Sequence, residues 1–307
     1  MAQKSIFDYL SGDQLVEITL KANFDSITLD KFSEDYLEAT LQRKGDPKIW
    51  ELKIKTRGKF RRRICQFPPL KLEFSKKDLE TMGLVKFDDL KLVTHCLDDI
   101  LAQEYVLREY LAYKMYQTLT PYSFRVQLAK ITYVNTGRRG FQLKRYGLLI
   151  EDEDDLAHRI GGKPQDVFGL SWDKIHPSSA ETLAAFQYIV GNTDWDIGMQ
   201  RNIAFIQSAA DNSIISVPYD FDMSGLVNPV YGIPNPDFPI KTLKERYYQG
   251  GSRPSAELTN SILSQKENWI ALCRNFKLLS STTRREMENF LVSFFVELEA
   301  GVAFTKP

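Results

Sequence analysis

The chain has 307 residues, 43% of them hydrophobic, and its forty acidic residues balance forty basic ones. That length and apolar content are enough to bury a sizeable core, which excludes a disordered chain. The zero net charge leaves no overall field to gather nucleic acid or an anionic membrane, so no nucleic-acid partner is expected and any charge-based function must be local.

No apolar run reaches about 18 residues, and Met1 to Phe7 lacks the charged and apolar regions of a signal peptide. The expectation is a soluble chain with no transmembrane segment. Its compartment stays open, secreted or cell-envelope if a leader has been removed. Cys65, Cys96 and Cys273 are too few and too scattered for a disulfide framework, and no C-x-x-C or His–Cys cluster suggests zinc. They read as small buried side chains.

Between Leu15 and Leu72 apolar and polar residues mostly alternate, as in Val16-Glu17-Ile18-Thr19-Leu20, Trp50-Glu51-Leu52-Lys53-Ile54-Lys55 and Leu70-Lys71-Leu72-Glu73-Phe74. This period predicts strands with one wet face. A helix follows from about Asp99 to Leu119, with Leu107, Leu111, Met115 and Leu119 on one side and Pro121 as its stop. Strands return at Val126 to Val134 and Tyr146 to Ile150, joined through a Gly137 to Gly140 turn. Residues 1–150 therefore form a sheet-rich half with one principal helix.

Residues 151–307 change character. Ser178 or Ser179 caps a helix running to about Val190, and the run from Ser255 onward is mostly helical, with Phe290, Leu291, Phe294, Phe295 and Leu298 on a broad apolar face. Two short strands between these helices, Ile203 to Gln207 and Ile214 to Val217, are joined by a turn over Ser208 to Ser213.

The most informative stretch begins with Gly191-Asn192-Thr193-Asp194-Trp195-Asp196, continues through Arg201-Asn202-Ile203 and closes on Pro218-Tyr219-Asp220-Phe221-Asp222. An acid, an amide and a second acid around a strand-like run are what phosphoryl transfer needs to hold a metal and orient a hydroxyl. Both acids fall on loops held by regular elements, the usual carriers of catalysis.

Four blocks, taken in order, carry a family resemblance. They are Lys55-Thr56-Arg57-Gly58-Lys59-Phe60-Arg61-Arg62-Arg63 through Pro68-Pro69-Leu70-Lys71-Leu72, then Leu107-Arg108-Glu109-Tyr110-Leu111-Ala112-Tyr113, then Asn192-Thr193-Asp194-Trp195, then Pro218-Tyr219-Asp220-Phe221-Asp222. Together they resemble the spore coat protein H (CotH) kinase family over roughly residues 15 to 227. The resemblance implies an α+β, atypical protein-kinase-like bilobal fold. Its sheet-rich N-terminal lobe, 1–150, would bind nucleotide, and its mainly helical C-terminal lobe, 151–307, would carry the catalytic and metal loops. The implied activity is transfer of the ATP γ-phosphate to protein Ser/Thr hydroxyls with Mg2+ or Mn2+. Asp194 then resembles the catalytic-loop acid, Asn202 the metal-binding amide and Asp220 the metal-binding acid.

Each of these positions also has a bland reading and a rival. Asn192-Thr193-Asp194 at a helix end is also an Asx-turn sequence, and Asp196 competes with Asp194 for the catalytic position. Asp222 either takes a second metal or accepts backbone donors in the turn before Gly225. Asn202, following Arg201, is also a strand-edge cap. Asp194 and Asn202 stand eight positions apart, against about five in kinase loops, so the extra residues must bulge out or re-aim the acid.

At the nucleotide end, Arg57-Gly58-Lys59 forms a strand turn where backbone and cations can approach phosphates, and Lys71 lies on the next strand, with Lys91 as its competitor. The glutamate that would hold this lysine is Glu104 by helical periodicity or Glu109 by motif position. Arg61-Arg62-Arg63 and Glu151-Asp152-Glu153-Asp154-Asp155 read either as functional charge, the latter as an acidic hinge, or as solvated runs. His95, His158 and His176 show no ligand spacing.

There is no G-x-G-x-x-G, no His-Arg-Asp loop and no Walker lysine, which excludes an ordinary kinase or P-loop enzyme. A non-catalytic pseudokinase working in envelope or coat assembly, and nucleotidyl transfer from the same cleft, remain the alternatives. The long proline-punctuated stretch from Met223 to Gln249 reads as an activation-segment analogue or as a wrapped structural loop.

Overall fold

The structure is a computed structural model that describes residues 3–13, 15–99 and 101–305. Expectations that touch Met1, Ala2, Ile100, Lys306 and Pro307 lie outside the described residues. Contacts divide the chain into two units, Met1–Leu107 with Arg125–Asp155, and Arg108–Phe124 with Leu156–Pro307.

The first unit contains β1 (Val16–Ala22), β2 (Leu37–Arg43), β3 (Ile49–Thr56), β4 (Leu70–Phe74), β5 (Asp89–Val93), β6 (Val126–Asn135) and β7 (Gln142–Ile150). The short helices α1 (Ile6–Leu10), α2 (Phe24–Leu29), α3 (Lys59–Ile64) and α4 (Lys76–Thr81) lie between or before these strands, and the longer α5 (Ala102–Tyr116) contributes to both units. The alternation seen in the sequence decides which faces turn inward. Ile18, Leu20, Leu41, Trp50, Leu52, Ile54, Leu72, Phe74, Ile131 and Tyr133 belong to one buried cluster, while Glu17, Thr19, Lys21, Glu51 and Lys53 point to water.

The strands close on themselves in the order β1-β2-β3-β4-β5-β7-β6. The closure is the parallel pairing of β1 with β6, from Val16↔Ala129 to Ala22↔Asn135, whereas the other neighbours are antiparallel. This closed seven-stranded mixed barrel overturns the expectation of an α+β, atypical protein-kinase-like bilobal fold with a sheet-rich N-terminal lobe and a mainly helical C-terminal lobe, because a barrel does not fit that fold. The physical reason is that closure abolishes the sheet edges through a pairing such as Ile18↔Ile131, which no local period reports.

Two further expectations change here. Cys65 and Cys96 form a disulfide that ties the end of α3 to the chain just after β5, beside a bridge between Phe67 and Cys96. Cys273 is free and buried. The acidic run is not a solvated loop either: Glu151, Asp152 and Asp155 are buried. Arg125 answers part of that charge, reaching Glu151 at 2.6 Å, Asp155 at 2.8 Å and Asp8 at 2.6 Å. In the arginine run Arg61 is buried, Arg62 pairs with Glu34 at 2.7 Å and Arg63 is exposed.

In the second unit α6 (Glu153–Arg159, shared with the first) leads to β8 (Gly162–Gln165) and then to α7 (Pro177–Val190). The N-cap of α7 is His176 rather than Ser178 or Ser179. Pro177 takes the first helical position, where its missing N–H costs nothing and its φ is already suited to the helix. Strands β9 (Ile203–Ser208) and β10 (Ile214–Pro218) form the expected hairpin and, with β8, a sheet in the order β10-β9-β8. Helices α8 (Ala256–Ser264), α9 (Lys266–Asn275) and α10 (Ser281–Glu299) follow, with Phe290, Leu291, Phe294 and Phe295 buried along α10. Among the described residues no helix is long and apolar enough to cross a membrane.

Candidate functional site

Helix α7 ends at Gly191, whose φ of 66° is left-handed. A side chain at that position would also press on Phe290 and on the Leu243 carbonyl, so glycine is required on two grounds. Asn192 then accepts the Asp194 N–H on its side-chain oxygen at 3.0 Å, and the Trp195 indole donates to the Asn192 carbonyl. The Asx turn of the bland reading is therefore present, and it sets the backbone that carries Asp194. Trp195 is buried beneath it, edge-on to Trp172.

The five residues between Asp196 and Asn202 are folded locally. Asp196 and Arg201 exchange both backbone hydrogen bonds, at 3.1 and 2.8 Å, and the Asp196 carboxylate accepts the Met199 N–H at 2.6 Å. Its carboxylate is thus engaged in closing a loop. With the extra residues looped out, Asn202 returns to Asp194: its side-chain nitrogen donates to the Asp194 carbonyl at 2.6 Å and to carboxylate Oδ2 at 3.1 Å. Arg201 stands 3.7 Å from the other carboxylate oxygen.

The hairpin brings in the second acid. Pro218 pairs with Ile203, and the Tyr219 N–H donates to the Asn202 carbonyl at 3.0 Å, so the ladder extends one pair beyond the strands. Asp220 comes next. Its N–H donates to the Tyr113 hydroxyl at 2.8 Å, and Phe221, fully buried, packs edge-on against Tyr113 and Phe186. Phe221 anchors the turn so that Asp220 and Asp222 flank a fixed ring; Asp220 is partly exposed and Asp222 buried.

Gln200, Asn202 and Asp220 all have left-handed backbones, with φ of 47°, 56° and 62°. Such conformations cost free energy in residues other than glycine, and they gather where surrounding structure holds a site in place. Both the amide and the second acid carry that strain.

A divalent ion and ATP are what the resemblance implies. With its NH2 group spent on Asp194, Asn202 keeps its amide oxygen as a donor, and Asp220 and Asp222 add carboxylates. This is an all-oxygen set of the kind Mg2+ and Mn2+ prefer. Among the described residues no group of three or more His, Cys, Asp or Glu is placed to hold a metal. By the chemistry of this set, the side chains would supply part of an ion's shell and not a closed cage.

At the nucleotide end Lys71 lies on a strand and Arg57 follows one, as read from the sequence, and the acids beside Lys71 come from strands. Lys71, on β4 of the barrel, pairs with Asp89 at 2.6 Å and lies 4.0 Å from Glu73, so its carboxylates come from its own and the adjacent strand. Burial pulls its ammonium down, but the Asp89 contact outweighs burial and the net shift is upward. The competitor Lys91 lies opposite Lys71 and 3.8 Å from Glu153. Arg57 donates its backbone N–H to Pro69 at 2.9 Å. On α5, Glu109 is buried and Glu104 half-buried, the reverse of what the helical period favoured.

Two residues of the site had not been singled out, Tyr113 and Arg201. Tyr113 closes the Leu107–Tyr113 block, where an aromatic with a polar tip was the available signal. No protein-family model matches the chain, and no curated protein matches it.

Proposed function

We propose that this chain transfers the γ-phosphoryl group of ATP to a protein Ser or Thr hydroxyl with the help of a divalent metal. The single observation that carries the reading is the double hydrogen bond from the Asn202 amide to Asp194, beside the hairpin that delivers Asp220. In this reading Asp194 accepts the hydrogen bond of the attacking hydroxyl and then its proton. Asn202 holds that carboxylate in one orientation, and Arg201 stands 3.7 Å from its other oxygen. Asn202 Oδ1 with Asp220 and Asp222 are the residues that would hold Mg2+ or Mn2+, which when bound neutralises charge on the phosphates.

The reading rests on the residues of the second unit and does not depend on a kinase-like fold. The test is incubation with labelled ATP, Mg2+ or Mn2+ and a generic protein acceptor. A mass gain of about 80 daltons marks phosphoryl transfer and about 329 daltons marks nucleotidyl transfer. Asp220→Ala is expected to abolish both metal binding and labelling. Equal binding of ATP and metal by the wild type and Asp220→Ala removes the metal role, and no labelling under any condition leaves a non-catalytic assembly protein.

A further inference from the structure

A cavity of about 340 Å³ lies wholly within the second unit, walled by α10, the turn after Asp222 and the segment around Lys244. Its size falls at the small end of ligand pockets, which run from roughly 300 to 1,000 Å³. One side is apolar, made by Leu226, Met287 and Phe290, and the other carries Arg108, Lys244 and Glu286.

Arg108 is the unusual member of that wall. Its side chain is 9% exposed, and its two terminal nitrogens are spent: Nη1 donates to the Val227 carbonyl at 3.1 Å, and Nη2 to the Thr283 hydroxyl at 3.0 Å and to Glu286 at 3.1 Å. The third nitrogen, Nε, is buried with no partner. A buried N–H left unmade costs roughly 1–3 kcal/mol and calls for an acceptor. Lys244 adds an exposed cation, while the only acid in the wall among the described residues, Glu286, is already engaged by Arg108.

The cavity is also built against the acid-bearing turns. Gly225 donates its N–H to the Gly191 carbonyl and Leu226 donates to Val190, each at 3.0 Å. A Cβ on Gly225 would stand 2.4 Å from the Leu243 carbonyl and 3.0 Å from Phe290. These segments meet without room for a side chain, so the wall is a fixed surface.

We propose that this cavity binds a small amphipathic anion, a carboxylate or phosphate head on a compact apolar body. The head takes the Lys244 ammonium in the field of the Arg108 guanidinium, whose charge Glu286 only partly answers, and the body lies on Leu226, Met287 and Phe290. Charge-assisted contacts of this kind are about twice as strong as neutral ones.

The test titrates the full chain with benzoate, phenyl phosphate and neutral benzyl alcohol, following backbone NMR shifts. Wild-type protein is expected to bind at least one anion with Kd of about 1 mM or tighter, with shifts centred on Leu226 and α10. Lys244→Ala, a change at an exposed side chain, should weaken that anion about tenfold. Asn289→Phe, also on an exposed residue of the cavity wall, should block it. A preference for benzoate or for phenyl phosphate names the head group and supports the proposal. Absence of anion binding up to about 10 mM, benzyl alcohol binding as tightly as the anions, or unchanged anion binding in both variants each overturns it.

Discussion

Asn202 donates its side-chain amide to two oxygens of Asp194, the main-chain carbonyl at 2.6 Å and carboxylate Oδ2 at 3.1 Å. The amide thus joins the α7 turn to the β9–β10 hairpin, and it does so from a left-handed backbone with φ of 56°. Two different losses can be separated at this one position.

Asn202→Gly relieves the backbone and removes the amide, whereas Asn202→Ala removes the amide and leaves the strain. The glycine variant is expected to remain within about 1 kcal/mol of wild-type stability, and the alanine variant to fall about 1 kcal/mol lower. Both should lose labelling from ATP by about a hundredfold or more, since the carboxylate loses its orienting partner. Urea unfolding and the labelling rate, measured on both variants, check the two effects independently.

The Cys65–Cys96 bridge spans 31 positions. Closing a loop of that length in the unfolded chain contributes about 3–4 kcal/mol by the chain-entropy account. The double variant Cys65→Ala/Cys96→Ala, or reduction of the wild type, should lower the unfolding free energy by that order. A midpoint in urea unchanged by reduction would show that the bridge adds nothing.

Two buried titratable groups of the first unit act in opposite directions with pH. Burial raises Asp152 from 3.8 to about 6, so the folded state holds its proton more tightly, and this contribution is lost as pH rises through that window. Burial, helped by Arg145, lowers His95 from 6.5 to about 4, so its contribution is present above pH 6.5 and lost as pH falls toward 4. Each difference amounts to about 3 kcal/mol. Wild type minus His95→Gln stability should therefore rise with pH between these limits, and wild type minus Asp152→Asn should fall. Urea unfolding from pH 3.5 to 7 reads both slopes, and two slopes of the same sign contradict the assignment.

Arg246 anchors the long stretch after Asp222. It donates to the carbonyls of Ile189 and Phe290, to the Ser293 hydroxyl and to Glu297, and its guanidinium lies 4.1 Å over the Phe290 ring. Arg246→Ala should destabilise the protein by about 3 kcal/mol, and Arg246→Lys should not restore it, because one ammonium cannot reproduce a planar fork. Limited proteolysis should then cut first between residues 228 and 245. Unchanged cleavage in both variants would show that this stretch is held by other contacts.

Much of the fold was legible one element at a time. The alternation in Trp50 to Lys55 and Leu70 to Phe74 marks inward and outward faces that the structure keeps, and the apolar face of α10 follows from the spacing of Phe290, Leu291, Phe294 and Phe295. Strand β2, with its looser alternation, was not singled out, and the cap of α7 moved to His176 because Pro177 begins the helix better than a serine one turn inside it. For the candidate site, the acid, amide and acid were visible as residue types. On α5 Glu109 is buried and Glu104 half-buried, which the helical period did not favour, since that period weighs only the spacing of Leu107, Leu111 and Met115.

The sequence by itself determined which faces of β1, β3, β4 and α10 avoid water and which turns carry Asp194, Asn202 and Asp220, because side-chain period and turn chemistry act over a few residues. Only the tertiary structure decided that β1 closes on β6, that Cys65 meets Cys96, that Lys71 pairs with Asp89 and that Asp196 is engaged in a loop while Asp194 meets Asn202. Each of these is a choice among chemically similar partners brought together by folding. Such choices are made by strand register and packing over the whole chain, which local patterns do not encode.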